Sequence, residues 1–427
     1  MMYRIKSFLK SLIPASVLDR YHYTFAVAGA LYYRFPSRKL FVIGITGTKG
    51  KSTTAELVAA ILEEAGFTVA LASTIRFAIG QESEPNLFKM TMPGRFFLQR
   101  FLRKAVRKGA THAVVEMTSE GAKQYRHKGI ALDALIFTNL QPEHLESHGG
   151  MQKYAEAKLS LAKHLESSPK RPRYIVANAD DTYGKDFLAI DVEAHAPFRL
   201  SDAEPYSTNE RSVRFVWRRG TLFTVPLPGV FNIKNILAAL TLGDAMGIDE
   251  RAMQRALEHI KPIAGRAERV EKGQPFAVIV DYAHTPDSLR ALFEAYKSSA
   301  RAHQKIIGVI GGTGGGRDQW KNPEKGKVAD EFCDIAFITN EDPYDEDPQK
   351  IVEGLAKGFT KKKPLIVLDR RQAIRDALKE AKEGDTVLLT GKGTDPYIML
   401  AHGAKQPWSD KKVAEEELAR LGYAPGQ

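Results

Sequence analysis

The sequence predicts an α/β fold in two sheet domains: a central phosphate-loop domain with a mostly parallel sheet, and a C-terminal doubly wound domain. Three observations carry this expectation. From Leu40 onward short apolar runs alternate with amphipathic helical stretches, the pattern of a parallel sheet flanked by helices. A glycine-rich turn with a lysine and a hydroxyl separates the first run from the first helix. A second alternating series starts near Phe276, and the 427 residues exceed what one core holds, since single cores usually stop growing at roughly 250 to 300 residues.

Phe41 to Ile45 reads as the first strand, and a helix is expected from about Ser52 to Ala65, closed by Gly66. Strands follow at 69–72, 112–116, 134–138 and 174–177. Alternation in 213–217 and 222–225 predicts antiparallel strands, with a helix beginning near Ile233. The second series places strands at 277–281, 306–311, 335–339, 365–368 and 386–390. Pro262 interrupts the helical pattern before it and sets the boundary near 261–264. The expected division is an arm at 1–40, a central domain at 41–262 and a C-terminal domain at 263–427.

Apolar residues at 43% and charged residues at 26% exclude the disordered and collagen-like classes. The single cysteine, Cys333, excludes an internal disulfide and a cysteine-rich zinc site; it reads as a small buried apolar side chain and fits a reducing, cytoplasmic setting. The net charge of +11 is uneven, because residues 1–40 hold seven Lys or Arg against one acid, Asp19. There Ile5, Phe8, Leu9 and Leu12 recur at helical spacing, which suits either peripheral contact with an anionic membrane or docking on the protein itself. The aromatic-flanked run from Phe25 to Leu31, ending at Pro36, favours a packed helix. Neither run reaches the ~20 apolar residues of a membrane span. No nucleic-acid-binding motif accompanies the charge, so no nucleic-acid partner is expected, and oligomeric state is left open.

The strongest local signal is Gly44, Gly47, Thr48, Gly50, Lys51, Ser52 and Thr53, between a strand and a helix. Glycines let the backbone curl its N–H groups toward a polyphosphate, and the helix start adds partial positive charge. Lys51 would neutralise phosphates and Ser52 would hold magnesium. Ile45 stands where the usual spacing has its first glycine. Glu116 ends an apolar strand, where a carboxylate can reach a metal held by the loop.

The string Thr46-Gly47-Thr48-Lys49-Gly50-Lys51-Ser52 resembles the loop of the Mur ligases and their folylpolyglutamate synthetase relatives. The likeness continues through Thr138-Asn139-Leu140 with His144, Leu145, His148 and Gly149, then Tyr154 to Lys158, Asn178 to Asp181, Gly229 to Asn235, Gly265-Arg266 and Asp281 to Pro286. Gly314 to Asp318 and Gly391-Lys392-Gly393 point to the tripeptide-synthetase branch. The resemblance implies ATP and two Mg2+ ions as cofactors, with small-molecule substrates. It implies that Lys51, Ser52 and Glu116 serve ATP and the first metal, that His144 binds a second, and that Lys158 is carbamylated to support both. Asn235 is implied to lie against adenine, and Arg266 and Asp281 to approach phosphates and ribose. The implied chemistry is carboxylate phosphorylation to an acyl phosphate, attacked by an amine.

Two departures bear on substrate. About 40 residues precede the loop where this branch carries a domain for the UDP end, which puts UDP recognition in question; Thr91, Thr118 and Arg126 remain as candidate contacts to a muramoyl substrate. Where diaminopimelate-adding enzymes have Asp-Asn-Pro-Arg, this chain has Glu341-Asp342-Pro343-Tyr344. With Gly393 and Asp395, these acids lead us to expect lysine or ornithine as readily as diaminopimelate, unless Arg317 or Arg370 replaces the absent guanidinium. The competing readings are the same chemistry on polyglutamate, a storage polymer or a non-murein wall peptide, and a non-catalytic nucleotide-binding subunit.

Overall fold

The computed structural model describes residues 14–143, 145–218, 220–297, 304–316 and 319–424. The stripe Ile5, Phe8, Leu9 and Leu12, and the candidates His144 and Arg317, lie outside the described residues. The chain forms two compact units, one of residues 1–206, 214–226 and 231–260, the other of 207–213, 227–230 and 261–427.

The first unit is built on an eight-stranded sheet. Its strands are β1 (Phe41–Thr46), β2 (Val69–Ala72), β3 (Arg76–Ile79), β4 (Glu82–Pro85), β5 (His112–Glu116), β6 (Ala134–Phe137), β7 (Tyr174–Asn178) and β8 (Ala194–Phe198), in the order β4-β3-β2-β5-β1-β6-β7-β8. The run from β2 to β8 is parallel, and β3 and β4 add an antiparallel edge. Parallel strands are covered on both faces, which is why β5 and β6 are buried along their whole length. Val42, Val115, Leu135, Phe137 and Leu161 share one core. Helices α1 (Ala15–Tyr32), α2 (Lys51–Glu64), α3 (Arg95–Arg107), α4 (Met151–Glu166) and α5 (Val230–Ala245) belong mainly to this unit. The alternating stretches at β9 (Val213–Trp217) and β10 (Thr221–Val225) are strands, with Phe215 and Phe223 stacked at 5.4 Å.

The edge hairpin β3/β4 and strand β8 are additions to the sequence expectation. All four residues of β4 are exposed, so no apolar alternation marks it. Helix α1 is the packed helix expected, and the structure adds which side packs. The run from Phe25 to Leu31 is helical, but the side it packs is the small-residue seam of Ala26, Gly29 and Ala30, while Phe25 and Leu31 face out.

The second unit carries a six-stranded sheet of β11 (Glu268–Arg269), β12 (Ala277–Asp281), β13 (Ile306–Thr313), β14 (Ile335–Asp342), β15 (Leu365–Ile366) and β16 (Thr386–Thr390), in the order β11-β12-β16-β13-β14-β15. Only β11 runs antiparallel. Asp281, Thr313, Glu341, Asp342 and Thr390 therefore all lie at the carboxyl ends of their strands, where open α/β sheets place ligands. Cys333 is fully buried, and burial pushes its thiol up to about 12, as a packing residue requires.

Candidate active site

The glycine loop lies where β1 passes into α2. Gly47 and Gly50 take φ of +147° and +82°, the left-handed side that glycine tolerates. A Cβ on Gly47 would fall on the Thr138 hydroxyl, and one on Gly50 on the Asn235 carboxamide. The loop is thus a tight cradle whose backbone only glycine can complete. Lys51 Nζ donates to the carbonyls of Gly47 and Thr48, both at 2.9 Å. Ser52 and Thr53 are buried in the first turn of α2, and the partial positive charge at a helix start favours an anion.

A second layer holds the cradle. Lys49 N–H donates to Asn139 Oδ1 at 2.9 Å, Asn139 Nδ2 returns to Lys49 O at 3.1 Å, and the Thr138 hydroxyl reaches the same carbonyl at 2.7 Å. Lys49 Nζ pairs with buried Glu143 at 2.9 Å. The Thr48 hydroxyl lies 3.1 Å from Tyr154 OH and accepts from Gln141 N–H at 3.0 Å. Sequence reasoning assigned no role to Thr138, Asn139, Glu143 or Tyr154. Three of the four stand inside the strings quoted above, so the signal was present as company rather than as chemistry.

Lys158, on α4, is fully enclosed, with Nζ 2.7 Å from Gly47 O and 4.8 Å from the Tyr154 ring centroid. Burial, reinforced by the charges of Lys51 and Lys49 against that of Glu143, holds its amine well below the ordinary lysine range. Glu116 is fully buried rather than a solvated strand end. The β1–β5 register sets it beside Ile45, at the loop end of the sheet. Its two oxygens accept from Thr74 N–H at 2.8 Å and the Thr74 hydroxyl at 2.9 Å. That hydroxyl also lies 2.8 Å from Thr91 Oγ1, linking Glu116 to the substrate candidate Thr91. Thr118 caps a short helix by accepting from Gly121 N–H at 3.0 Å, and Arg126 donates to Met92 O and, at 2.7 Å, to Gln124. Asn235 packs against Gly50, and its carboxamide donates to Asn232 at 3.1 Å.

Among the described residues no three His, Cys, Asp or Glu side chains form a ready-made metal cage. The donors present, a loop hydroxyl and one carboxylate, nevertheless fit Mg2+, which is commonly held by one or two carboxylates with water and substrate phosphates.

The second unit gathers the remaining candidates. The Arg266 guanidinium lies 4.5 Å over the Tyr282 ring, and Asp281 accepts from the N–H groups of Ala267 and Ala283, both at 2.7 Å. Gly265 and Gly393 touch, leaving no room for a Cβ on Gly265. Asp342 accepts from fully buried Lys392 at 3.0 Å and from Met399 N–H at 2.8 Å, with Asp395 3.6 Å from the same ammonium. Glu341 accepts from Thr313 at 3.0 Å and lies 3.7 Å from Lys325. Burial alone would push its carboxyl up, but Lys325, Arg370 and Lys392 together bring it down to about 2. Arg370 is committed to Asp410 through bonds of 2.8 and 2.6 Å. Glu341 and Asp342 thus sit beside the chain's own lysines, and the Arg370 guanidinium is held by Asp410 and the Thr390 carbonyl. Tyr344, at φ +53°, is fixed by its N–H to Met399 O and by ring contact with Gly315.

The profile for the Mur ligase middle domain matches residues 45–243, and that for the Mur ligase, glutamate ligase domain matches 265–393. A UDP-N-acetylmuramyl-tripeptide synthetase of Roseiflexus sp. (strain RS-1) is 35% identical, the match covering 96% of this chain and 85% of that one. The chain belongs to the Mur ligase family. Among other similar family members is the UDP-N-acetylmuramoyl-L-alanyl-D-glutamate--2,6-diaminopimelate ligase of Aquifex aeolicus (strain VF5), 34% identical over 97% of this chain and 85% of its own length. A solved ligase of that same description superposes with a TM-score of 0.61 at 26% identity, over 90% of this chain and 79% of that one. A Mycobacterium tuberculosis folylpolyglutamate synthase shares the fold, with a TM-score of 0.72 at 16% identity and 99% of each chain covered. As a Mur ligase the protein is an ATP-dependent, ADP-forming amide ligase of peptidoglycan synthesis. No helix among the described residues is long and apolar enough to cross a membrane.

Proposed function

We propose that this Mur ligase adds a diamino acid to a muramoyl-dipeptide-like carboxylate. The observation that carries the reading is the enclosed Lys158 amine on the carbonyl of Gly47, beside Lys51. Burial disfavours the charged ammonium of Lys158, the unprotonated amine is the form that takes up carbon dioxide, and the resulting carbamate would place an anion beside the loop. Lys51 and the N–H groups at the start of α2 hold the γ-phosphoryl of ATP and offset charge as it moves. Magnesium, held by Ser52, Glu116 and a carbamylated Lys158, supplies further charge neutralisation at the transferring group. Thr91, Thr118 and Arg126 orient the acceptor carboxylate, whose oxygen attacks phosphorus in line. ADP leaves as the acyl phosphate forms; the incoming amine then attacks the acyl carbon, inorganic phosphate departs, and the amine nitrogen gives up a proton as the amide bond is made.

In the second unit, Tyr344, Gly393 and Asp395 are the contacts proposed for the amino acid, and Arg266 and Asp281 those for the nucleotide. Asp342 and Asp395 share the single Lys392 ammonium, at 3.0 and 3.6 Å, and this acid-rich pair is the feature proposed to face a second ammonium group. Support for the diamino acid comes from the names of the Aquifex relative and its homologues. Incubation with ATP, Mg2+, UDP-muramoyl-dipeptide and a panel of diaminopimelate, lysine and ornithine, read by product mass, tests this. The expected product is the acceptor plus one diamino-acid residue. ATP turnover with no such mass gain, or gain only with glutamate on a polyglutamate acceptor, contradicts it.

A further inference from the structure

Helix α1 buries almost nothing large. Its packed side is Ala26, Gly29 and Ala30, yet Val17, Tyr21, Phe25, Ala28 and Tyr32 recur every three or four residues along its exposed side. Tyr21 is 49% exposed, Phe25 42% and Tyr32 74%. The patch extends beyond the helix. Phe96, at the start of α3, lies 6.3 Å from Phe25 and 6.5 Å from Tyr32 and is itself exposed.

Charge on the elements that carry this patch is mainly basic, with Glu82 and Glu84 of the neighbouring edge strand β4 as the acids beside it. Helix α3 contains Arg95, Arg100, Arg103, Lys104 and Arg107 with no acid, and Arg95 lies 5.9 Å from the Tyr21 ring. Arg20, Arg34, Arg38 and Lys39 add to it, against Asp19 alone on α1.

We propose that the first unit docks on an anionic lipid bilayer through this face, with the aromatic stripe of α1 and the rim of α3 at the headgroup level. Aromatic rings with an apolar body and polar tip, ringed by arginine and lysine, match the chemistry of that interface. Each basic side chain near an anionic surface strengthens binding by about fivefold, an effect that salt weakens. A second copy of this chain is the poorer occupant, because pairing like faces brings two acid-poor, basic rims together in a protein already at +11. The inference is independent of which amino acid is added.

Flotation of the full chain with vesicles of phosphatidylcholine, alone or mixed equally with phosphatidylglycerol, is the test, with light scattering on the same samples. Binding is expected to the mixed vesicles only, and to fall as salt is raised. The variant Tyr21→Ser/Phe25→Ser/Tyr32→Ser should lose it by more than about tenfold, given the area of apolar surface removed, while ATP turnover in solution is unchanged. Arg100→Glu/Lys104→Glu should weaken binding without touching the aromatic rings. The proposal fails if the wild-type chain does not float with the mixed vesicles, if the triple variant floats as well as wild type, or if light scattering shows a dimer that this triple variant dissolves.

Discussion

The strand ends of the two units handle charge in opposite ways. In the first, three lysines converge on one loop: Lys51 donates to backbone carbonyls, burial holds the Lys158 amine well below the ordinary lysine range, and Glu143 pairs with Lys49 while its charge also acts on Lys158. In the second, Glu341 meets Lys325, Asp342 meets Lys392, and Arg370 meets Asp410, so that buried acids and bases cancel within the chain. A loop rich in donors and short of counter-charge is built to receive a polyanion, whereas a self-neutralised network fixes shape. The lesson is that charged residue types alone do not mark a binding site; what matters is whether the fold has already supplied the partner.

The largest expected effect lies in the closed network. Arg370→Met leaves Asp410 buried without its guanidinium and should cost about 3–5 kcal/mol of stability, read by denaturant unfolding. Arg370→Met/Asp410→Asn should recover most of it. Full recovery would show that the pair fixes shape; none would mean that Arg370 does more than offset one charge. Next comes the open loop. Lys158→Ala should slow ADP release by on the order of 10²–10³-fold, the usual cost of removing one preorganised charge-stabilising group, with the circular dichroism spectrum retained. Turnover near the wild-type rate would remove Lys158 from the chemistry.

The smallest effect concerns a buried pair remote from both networks. His127 and His164 stack edge to face at 4.8 Å, and desolvation lowers both, His164 to about 4. The unfolded chain takes up protons at these rings as pH falls through about 6.5. The folded chain resists down to about 4 at His164, so stability is whole above pH 6.5 and drains away between 6.5 and 4. His127→Gln/His164→Gln should flatten that limb of a melting-temperature profile; an unchanged slope would assign acid lability elsewhere.

How much of this was legible in the sequence follows the same division. The parallel strands were readable because burial on both faces leaves continuous apolar runs, as in Val114-Val115 of β5 and Val387-Leu388-Leu389 of β16. The hairpin β3/β4 was not, since β4 is exposed throughout and pairs only at a sheet edge. At the loop, Gly47, Gly50 and Lys51 declare themselves because backbone conformation and local spacing are properties of a few adjacent residues. The clamp of Thr74 on Glu116 spans 42 positions and the Lys392–Asp342 pair 50, and no periodicity encodes such partners. That is why the sequence does not show that Glu341 and Asp342 already face Lys325 and Lys392. The outward face of α1 was not legible for a related reason: an apolar run states that a surface seeks cover, not which side of the helix receives it.

Calorimetric titration of ATP with magnesium into the wild-type chain, Lys51→Met and Lys392→Met compares the two regions most directly. The expected result is that Lys51→Met weakens binding by at least about tenfold, the value of one charge-assisted contact, while Lys392→Met lowers the unfolding temperature and binds the nucleotide as wild type does. Unaltered affinity in Lys51→Met, or lost affinity in a folded Lys392→Met, would contradict the assignment of the open loop to the nucleotide and the closed network to structure.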